Sequence, residues 1–407
     1  MKKNIYFLFV SLLALFFIRC KNNTAPHDEL KNKSWNQVTA LAKGTTVTMM
    51  MYLGDKRANS YMNDFVIPEL QKKYAVTLKI AGGQGNIIVS TIMAEKEAGK
   101  KEGQIDVCWI NGETFYQIKQ IDGLYGPYTN QLPNSKYIDY NDPIIKYDFQ
   151  EEINGYETPW GKAFFNVITD TAKVKQPPVT MQQFENYWKA NPGRFTLSLD
   201  FIGLTLLKSW LVEIAGGIEE LDGPFDAKKY GKYSTLLWDF VNNNKKYFWK
   251  KGETFPESNV AITQMYGTGE LDFTFAFGIS AVERNVREGL FPLTSKAYIL
   301  QAGCIHNTSY LGIPYNAPNK AGAMVVCDFL ISPEAQIKKA DIRSWGSSTI
   351  LDYDKLAKGY QDDFNALPKL NYGLNEAEVK NKSIKETAST YMIKVAEDFR
   401  KKVIESK

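Results

Sequence analysis

The pattern of apolar and polar residues in the first part of the chain predicts strands and helices in turn. An apolar, β-rich run at 45–52 is followed at 58–74 by the spacing of an amphipathic helix. A strand, a loop and a helix, repeated, predict a mainly parallel sheet with helices on both faces. The predicted strands are 45–52, 76–80 and 105–110, and the predicted helices are 35–43, 58–74 and 86–100.

A second alternating unit begins after Pro177 and Pro178. Extended runs at 163–169 and 297–314 lie on either side of it and predict crossovers between two lobes. The predicted fold class is α/β and bilobed, with two open, mainly parallel sheets joined by crossover hinge strands and a cleft between the lobes. The lysine- and glutamate-rich tail, 374–407, predicts a solvated helical cover on the first lobe. The unit's predicted helices are 181–190, 203–215, 230–246 and 278–288, and its strands are 195–199 and 271–277.

The N-terminus has the pattern of an export signal. Lys2 and Lys3 precede an apolar run at 5–18, which is too short to span a bilayer. Cys20 ends that run, as in the lipobox of a lipoprotein, although Arg19 stands where a small residue is usual. A plain secretory signal or an uncleaved anchor is the alternative. Residues 21–34 are polar and predict a flexible tether to a membrane surface.

Composition narrows the class of partner. The net charge is +4, and loss of Lys2, Lys3 and Arg19 with the signal lowers it to about +1. No basic stripe with interleaved aromatic residues is present, which argues against a nucleic-acid partner. The remaining cysteines, Cys108, Cys304 and Cys327, lie in apolar segments and are predicted to be buried thiols rather than disulfides.

Three loops are predicted to form one wall of the cleft, because ligands of open α/β sheets bind beyond the carboxyl ends of the strands. These loops are 52–57, 81–86 and 109–115. Trp109 can stack on a flat or cationic ligand, with Asn111 and Glu113 supplying an amide and a charge. The alternative is that Trp109 belongs to the core and that Asn111 only begins a turn.

Four groups of residues carry a resemblance to a known family. They are IDVCWINGE at 105–113, NPGRFT at 191–196, DFIG at 200–203, and the C-terminal set IPYNA at 313–317, KAGAM at 320–324 and FLISPEAQ at 329–336. Together they resemble the extracytoplasmic solute-binding proteins of ABC importers, specifically the YnjB-like group with the type II periplasmic-binding-protein fold. The resemblance covers residues 35 to about 356.

The resemblance implies passive capture of a small solute, lobe closure, and docking on a permease driven by a cytoplasmic ATPase. It implies an exported monomer anchored to a membrane through Cys20, with no cofactor and no metal. The domains expected are a signal peptide at 1–20, a tether at 21–34, a first lobe formed by 35–158 and 300–407, and a second lobe at 159–299.

The residues expected to line the cleft come from both lobes. Three more have a competing structural interpretation: Trp160 as hinge packing, Asp200 as the N-cap of a helix, and Asp55 as part of a solvated loop that opens a helix. Glu113, Asp55 and Asp200 favour a cationic or heteroaromatic solute such as thiamine or a polyamine. Arg57 and the glycine-rich loop at 82–86 favour an anion, and a sugar also stays open. The expected lining residues are Tyr52, Asp55, Trp109, Asn111, Glu113, Trp160, Asp200, Tyr266 and Asn307.

An extracytoplasmic enzyme on the same scaffold is the alternative function. The chain has two histidines, His27 in the tether and His306 alone, which argues against a histidine-based metal cluster. No Gly-x-Ser-x-Gly elbow is present. Cys304 and His306 lie two residues apart without a third group to orient them, so a buried thiol is favoured over a nucleophile.

Overall fold

The computed structural model describes residues 30–374 and 376–406. The predicted signal peptide, the lipidation site Cys20 and most of the tether therefore lie outside the described residues. Within the described part, no helix is both long and apolar enough to cross a bilayer.

A mixed sheet runs through both halves of the molecule. Its main order is β2-β1-β3-β9-β6-β7, with β8 added to β6 and β10 to β9. The parallel pairing expected for the first unit is found among β1, β2 and β3. In the second unit, β7 and β8 pair antiparallel with β6. The strands are β1 (Thr46–Met51), β2 (Thr77–Gly82), β3 (Val107–Ile110), β4 (Tyr147–Asp148), β5 (Glu151–Glu152), β6 (Glu157–Asp170), β7 (Phe273–Phe277), β8 (Ser295–Tyr298), β9 (Cys304–Gly312) and β10 (Ser383–Ile384).

Helices cover the sheet on both sides. The predicted helix at 58–74 is present as α2 and α3, joined by a π-helical turn at Met62–Val66. The helices are α1 (Trp35–Ala42), α2 (Lys56–Tyr61), α3 (Ile67–Tyr74), α4 (Asn86–Glu97), α5 (Gly112–Gln120), α6 (Pro143–Lys146), α7 (Met181–Ala190), α8 (Phe201–Ala215), α9 (Ala227–Asn244), α10 (Asn259–Gly267), α11 (Ala281–Arg287), α12 (Lys320–Leu330), α13 (Pro333–Ala340), α14 (Lys358–Asn365), α15 (Glu376–Lys382) and α16 (Ser389–Phe399).

Two long antiparallel strands, β6 and β9, connect the halves, and we call them the hinge strands. Their register runs from Glu157 opposite Gly312 to Phe164 opposite His306. Trp160 and Leu311 belong to the hydrophobic core of the first half, whereas Phe165 and Ile305 belong to that of the second. The chain therefore passes from one half to the other within these two strands, and the bilobed α/β class is confirmed.

Helix α8 of the second half begins sharply at the cleft. Asp200 caps it by accepting hydrogen bonds from the amides of Ile202 and Gly203. Gly203 is required there because a Cβ would lie 2.0 Å from the carbonyl oxygen of Ser198. The local sequence thus fixes where α8 starts and which side chains it presents to the first half.

The C-terminal segment packs with the second half, so its predicted place on the first lobe is wrong. Tyr391, Val395 and Phe399 on α16 are buried in the same core as Trp210 and Trp238 of α8 and α9. The segment also reaches α5 of the first half. Charged residues dominate the sequence of the tail, but its apolar positions repeat at helical spacing and form a buried stripe.

Replacing Phe399 with alanine tests this packing. Its ring is buried, lying 5.2 Å from Phe255 and 6.3 Å from Trp238. We expect Phe399→Ala to lower the free energy of unfolding by about 3–5 kcal/mol, measured by denaturant titration. Leu293→Ala, at a site that is 73% exposed in the same half, should change it by less than about 0.5 kcal/mol. Equal effects of the two substitutions would contradict the packing.

Candidate functional site

Three tryptophans meet where β3 ends. The ring of Trp109 lies edge-on to that of Trp160 at 5.0 Å and to that of Trp345 at 5.9 Å. Trp109 is half-buried, whereas Trp160 is only 1% exposed. Trp109 is therefore the most exposed tryptophan of this group, and Trp160 packs against it from the core. This placement contradicts the prediction of Trp160 as a cleft wall and favours hinge packing.

The loop after β1 is engaged in contacts within the protein. Asp55 caps α2 through the amides of Arg57 and Ala58 and accepts a hydrogen bond from Nε1 of Trp345 at 3.0 Å. Arg57 forms an ion pair with Glu288 of the second half at 2.5 Å and donates to the carbonyl of Ile342. Both side chains therefore hold the two halves and the Trp345 loop in place, and the guanidinium of Arg57 is already paired.

A second arginine reaches across the cleft. Arg284 of α11 donates a hydrogen bond to the carbonyl of Trp345 at 2.7 Å, and Ser280 donates one to Gly346. Burial lowers the pKa of Arg284, an effect opposed by nearby Asp55. Sequence analysis did not single out Arg284 or Trp345, because their proximity depends on contacts between distant segments.

Tyr52 and Asp200 face each other from opposite halves. Burial raises the pKa of the Tyr52 phenol, with further contributions from Asp200 and Asp55. Besides capping α8, the Asp200 carboxylate accepts hydrogen bonds from Oγ of Ser198 at 2.6 Å and from the amide of Asn259 at 2.7 Å. The capping interpretation of Asp200 is therefore confirmed.

Asn111 and Glu113 lie where β3 leads into α5. Asn111 is the N-cap of α5, but its side chain makes no capping hydrogen bond. Glu113 is half-buried, and its Oε2 is shielded from solvent without a hydrogen-bond partner. Burial raises the pKa of Glu113; Lys208 opposes that rise and Glu386 adds to it. Glu113 is thus a carboxyl group with unused acceptor capacity.

Glu113 belongs to a group of mostly buried carboxyl groups, which we call the carboxyl cluster: Glu113, Asp148, Glu157 and Glu386. Lys208 of α8 pairs with Glu386, and its Nζ lies 4.5 Å from the ring centroid of Phe149. Both oxygens of Glu157 and Oδ1 of Asp148 lack hydrogen-bond partners. Burial raises the pKa of all four carboxyl groups. Cationic groups are therefore outnumbered at this end of the cleft.

Two predicted lining residues lie elsewhere. Tyr266 is buried, and its hydroxyl lies 2.8 Å from Oγ of Ser295. Both residues are in the second half, at the end away from the hinge strands. The prediction for Tyr266 is wrong because the residue precedes β7 and so lies at its amino end. Asn307, on β9, contacts Glu386 at 3.4 Å and lines a cavity beside the hinge rather than the tryptophan wall.

Lys339 lies buried behind the tryptophans. Its Nζ donates to the carbonyl oxygens of Trp160 at 2.6 Å and Ser348 at 2.9 Å. It lies 6.0 Å and 5.8 Å from the ring centroids of Trp160 and Trp345. Burial lowers the pKa of Lys339 to about 7.

Among residues 30–374 and 376–406, no three His, Cys, Asp or Glu side chains come close enough together to hold a metal ion.

Residues 66–366 match the model of a protein family described as bacterial extracellular solute-binding protein. The chain is also 32% identical to Protein YnjB of Escherichia coli over 336 residues, which span 82% of this chain and 86% of that protein. The chain belongs to the bacterial extracellular solute-binding protein family. It is accordingly an extracellular solute-binding protein.

Solved structures agree on the fold. A putative spermidine/putrescine ABC transporter from Listeria monocytogenes matches with a TM-score of 0.58 and 14% identity, covering 87% of this chain and 98% of that one. Iron-bound HitA from Pseudomonas aeruginosa matches with a TM-score of 0.60 and 14% identity, covering 87% and 99%. The solute-binding family's bilobed periplasmic-binding-protein architecture is thus the architecture of this chain.

Titration of Lys339 gives a test of the hinge electrostatics. Its pKa in the folded protein is below the usual 10.5, so between about pH 7 and 10 the unfolded chain holds more protons and stability rises with pH. We expect wild type to gain about 2 kcal/mol more unfolding free energy between pH 7 and 9 than Lys339→Met. Denaturant titrations at both pH values measure this difference.

Lys338→Met is the matched control, because Lys338 is the exposed neighbour on the same helix. Its stability should follow the wild-type dependence on pH. If the unfolding free energies of wild type and Lys339→Met changed equally between pH 7 and 9, Lys339 would not be the group whose titration raises stability.

Proposed function

We propose that this protein is an exported lipoprotein that captures a small cationic solute, thiamine-like or polyamine-like, between its two halves and delivers it to the permease of an ABC importer. The observation that carries the charge preference is Glu113, a cleft carboxyl group with a shielded oxygen that lacks a hydrogen-bond partner. An ammonium or other N–H donor would satisfy that oxygen.

The balance of charges supports a cation over an anion. Arg57, the residue that favoured an anion, is already paired with Glu288. Asp200 and the carboxyl cluster supply further carboxyl oxygens, several of them without a hydrogen-bond partner, that a cationic donor would satisfy, and the ring of Trp109 offers a face for cation–π contact. Arg284 is the opposing charge, at the Trp345 end of the cleft. A solute with a cationic group toward Glu113 and a flat body against Trp109 fits this arrangement.

The proposed mechanism is closure of the halves about the hinge strands. In the described arrangement the halves touch through Arg57 and Glu288 and through the rings of Phe149 and Phe201, whose centroids are 6.2 Å apart. These contacts must break on opening. A solute that contacts both halves binds the closed state better and shifts the population toward it.

A thermal-shift screen tests the proposal. Protein that has been unfolded and refolded to remove bound solute is screened against vitamins, polyamines, sugars, amino acids and oxyanions. A solute at a hundred times its dissociation constant should add about 2.7 kcal/mol to stability. We expect a cationic solute to give the shift. A shift with anions alone would overturn the charge preference, and no shift in any class would overturn solute binding.

Substitution of Trp109 separates binding from folding. We expect Trp109→Ala to weaken binding of the identified solute at least tenfold while lowering stability less than Trp160→Ala does. The reason is that Trp109 is half-buried and Trp160 is a fully buried core residue. Titration calorimetry and denaturant unfolding measure the two effects. A stability loss as large as that of Trp160→Ala, with unchanged affinity, would place Trp109 in the core.

Lipid anchoring is tested at Cys20. We expect the wild-type chain to fractionate with membranes and to incorporate labelled palmitate, and Cys20→Ser to lose the label and become soluble after export. A wild-type chain without label, despite efficient export, would show that Arg19 blocks lipoprotein processing and that the N-terminus is a plain secretory signal.

A further inference from the structure

A cavity of about 270 Å³ lies beside β9, where both halves and the C-terminal segment meet. The first half contributes Asp148 and Phe149, the hinge strand contributes His306 and Asn307, and the C-terminal segment contributes Glu386. We call it the hinge cavity. Tyr52, Trp109 and Trp160 do not line it, so it is separate from the tryptophan wall.

Two buried side chains that line the hinge cavity each have a polar atom without a hydrogen-bond partner. Asp148 is 1% exposed; its Oδ2 accepts a hydrogen bond from the amide of Gly112 at 2.6 Å, and its Oδ1 has no partner. His306 is 6% exposed, and its Nε2 has no partner. Burying a polar atom without a hydrogen bond costs about 1–3 kcal/mol. Neither group is accounted for by the packing of the fold.

His306 is uncharged, and an uncharged imidazole can accept a hydrogen bond. Burial, together with Lys162, lowers its pKa to about 3, so the imidazole is neutral at physiological pH. A neutral imidazole always has one nitrogen with a free lone pair. The ring packs against Phe164, with 4.2 Å between the centroids, which fixes its orientation in the hinge.

The other charged groups at the hinge cavity are already paired. Asp222 and Lys385 form an ion pair at 2.5 Å, and Glu386 pairs with Lys208. Asp148 is left as the lining carboxyl group without a cationic partner. An occupant that donates hydrogen bonds and carries positive charge would satisfy it, and the ring of Phe149 offers an apolar wall for a short alkyl chain.

We propose that the hinge cavity binds the ammonium group of a small organic amine, with Asp148 as its counter-ion. The spacing of the described acidic and histidine side chains does not suit a metal ion. The proposal goes beyond solute capture in the tryptophan-lined cleft, since it adds a second site. Its occupant would touch the first half, the hinge and the C-terminal segment at once.

Proton release should accompany this binding. Burial and the neighbouring carboxyl groups raise the pKa of Asp148, so the empty site favours its protonated form. An ammonium favours the ionised form, so affinity should rise with pH while the amine stays protonated. The charged and titratable groups that face Asp148 or the cavity are Glu113, Tyr147, Glu151, Glu157, Lys208, Asp222, His306, Tyr310, Lys385 and Glu386.

Asp148→Asn is the variant that tests the site. The asparagine oxygen can still accept from the amide of Gly112, so the turn is kept, while an NH₂ group replaces the free acceptor. Asp139→Asn is the matched control, since it makes the same chemical change at a carboxylate whose side chain is 41% exposed. Unfolding curves verify that both variants are folded.

The experiment titrates the exported chain with n-butylammonium and with the uncharged isostere 1-butanol. Calorimetry in two buffers of different ionisation enthalpy, at pH 6 and pH 8, also measures proton release. We expect n-butylammonium to bind wild type and Asp139→Asn equally and with proton release, 1-butanol not to bind, and Asp148→Asn to bind the ammonium at least tenfold more weakly.

Three results would overturn the site: no binding of n-butylammonium to folded wild type, equal binding of 1-butanol, or unchanged affinity in Asp148→Asn. Failure of this proposal is distinguishable from failure of solute binding. A solute found by the thermal-shift screen that still binds Asp148→Asn would uphold the cleft function while the hinge cavity is refuted.

Discussion

The antiparallel pairing of the hinge strands is the interaction on which the rest of the structure depends. One end of each hinge strand belongs to the core of the first half, and the opposite end belongs to the core of the second half. Their register is interrupted between Pro159 and Gly161, and such an irregularity bends and twists a strand locally. It directs the carbonyl of Trp160 to Lys339, while Gly161 leaves room for that lysine, because a Cβ would lie 2.6 Å from Nζ. The tryptophan wall therefore depends on the hinge geometry.

Buried charge lies on both sides of this hinge. Behind the tryptophans, Lys339 is held by carbonyl groups alone, and beside β9 the carboxyl cluster has one lysine, Lys208, among four acids. Burial of ionisable groups without full pairing costs stability, and groups with strongly perturbed pKa values gather at functional sites. The proposed binding of cations at the cleft and at the hinge cavity would use these unpaired acceptors.

Sequence patterns predicted what depends on local spacing. The strand–helix alternation located the end of β3, and with it Trp109 and Glu113, because apolar periodicity and turn residues are local signals. The segment at 195–199 was predicted as a strand but is a largely buried segment without strand pairing. An apolar run in the sequence indicates burial and does not by itself distinguish a strand from a buried loop. Trp345, Asp148 and the apolar stripe of the tail were missed because their roles arise from contacts between segments far apart in sequence. Tyr266 was misplaced because it precedes its strand.

The central claim is that solute binding closes the two halves about the hinge strands. The most direct measurement is the distance between spin labels at Leu41→Cys and Leu236→Cys, exposed sites on α1 and α9 in opposite halves. The cysteines of the described residues are buried and would not take the label. The measurement uses pulsed electron–electron double resonance and the solute identified by thermal shift. Without solute, we expect a broad distribution of distances. At saturation, the mean distance should shorten and the distribution should narrow. Identical distributions with and without solute would contradict closure as the mechanism of capture.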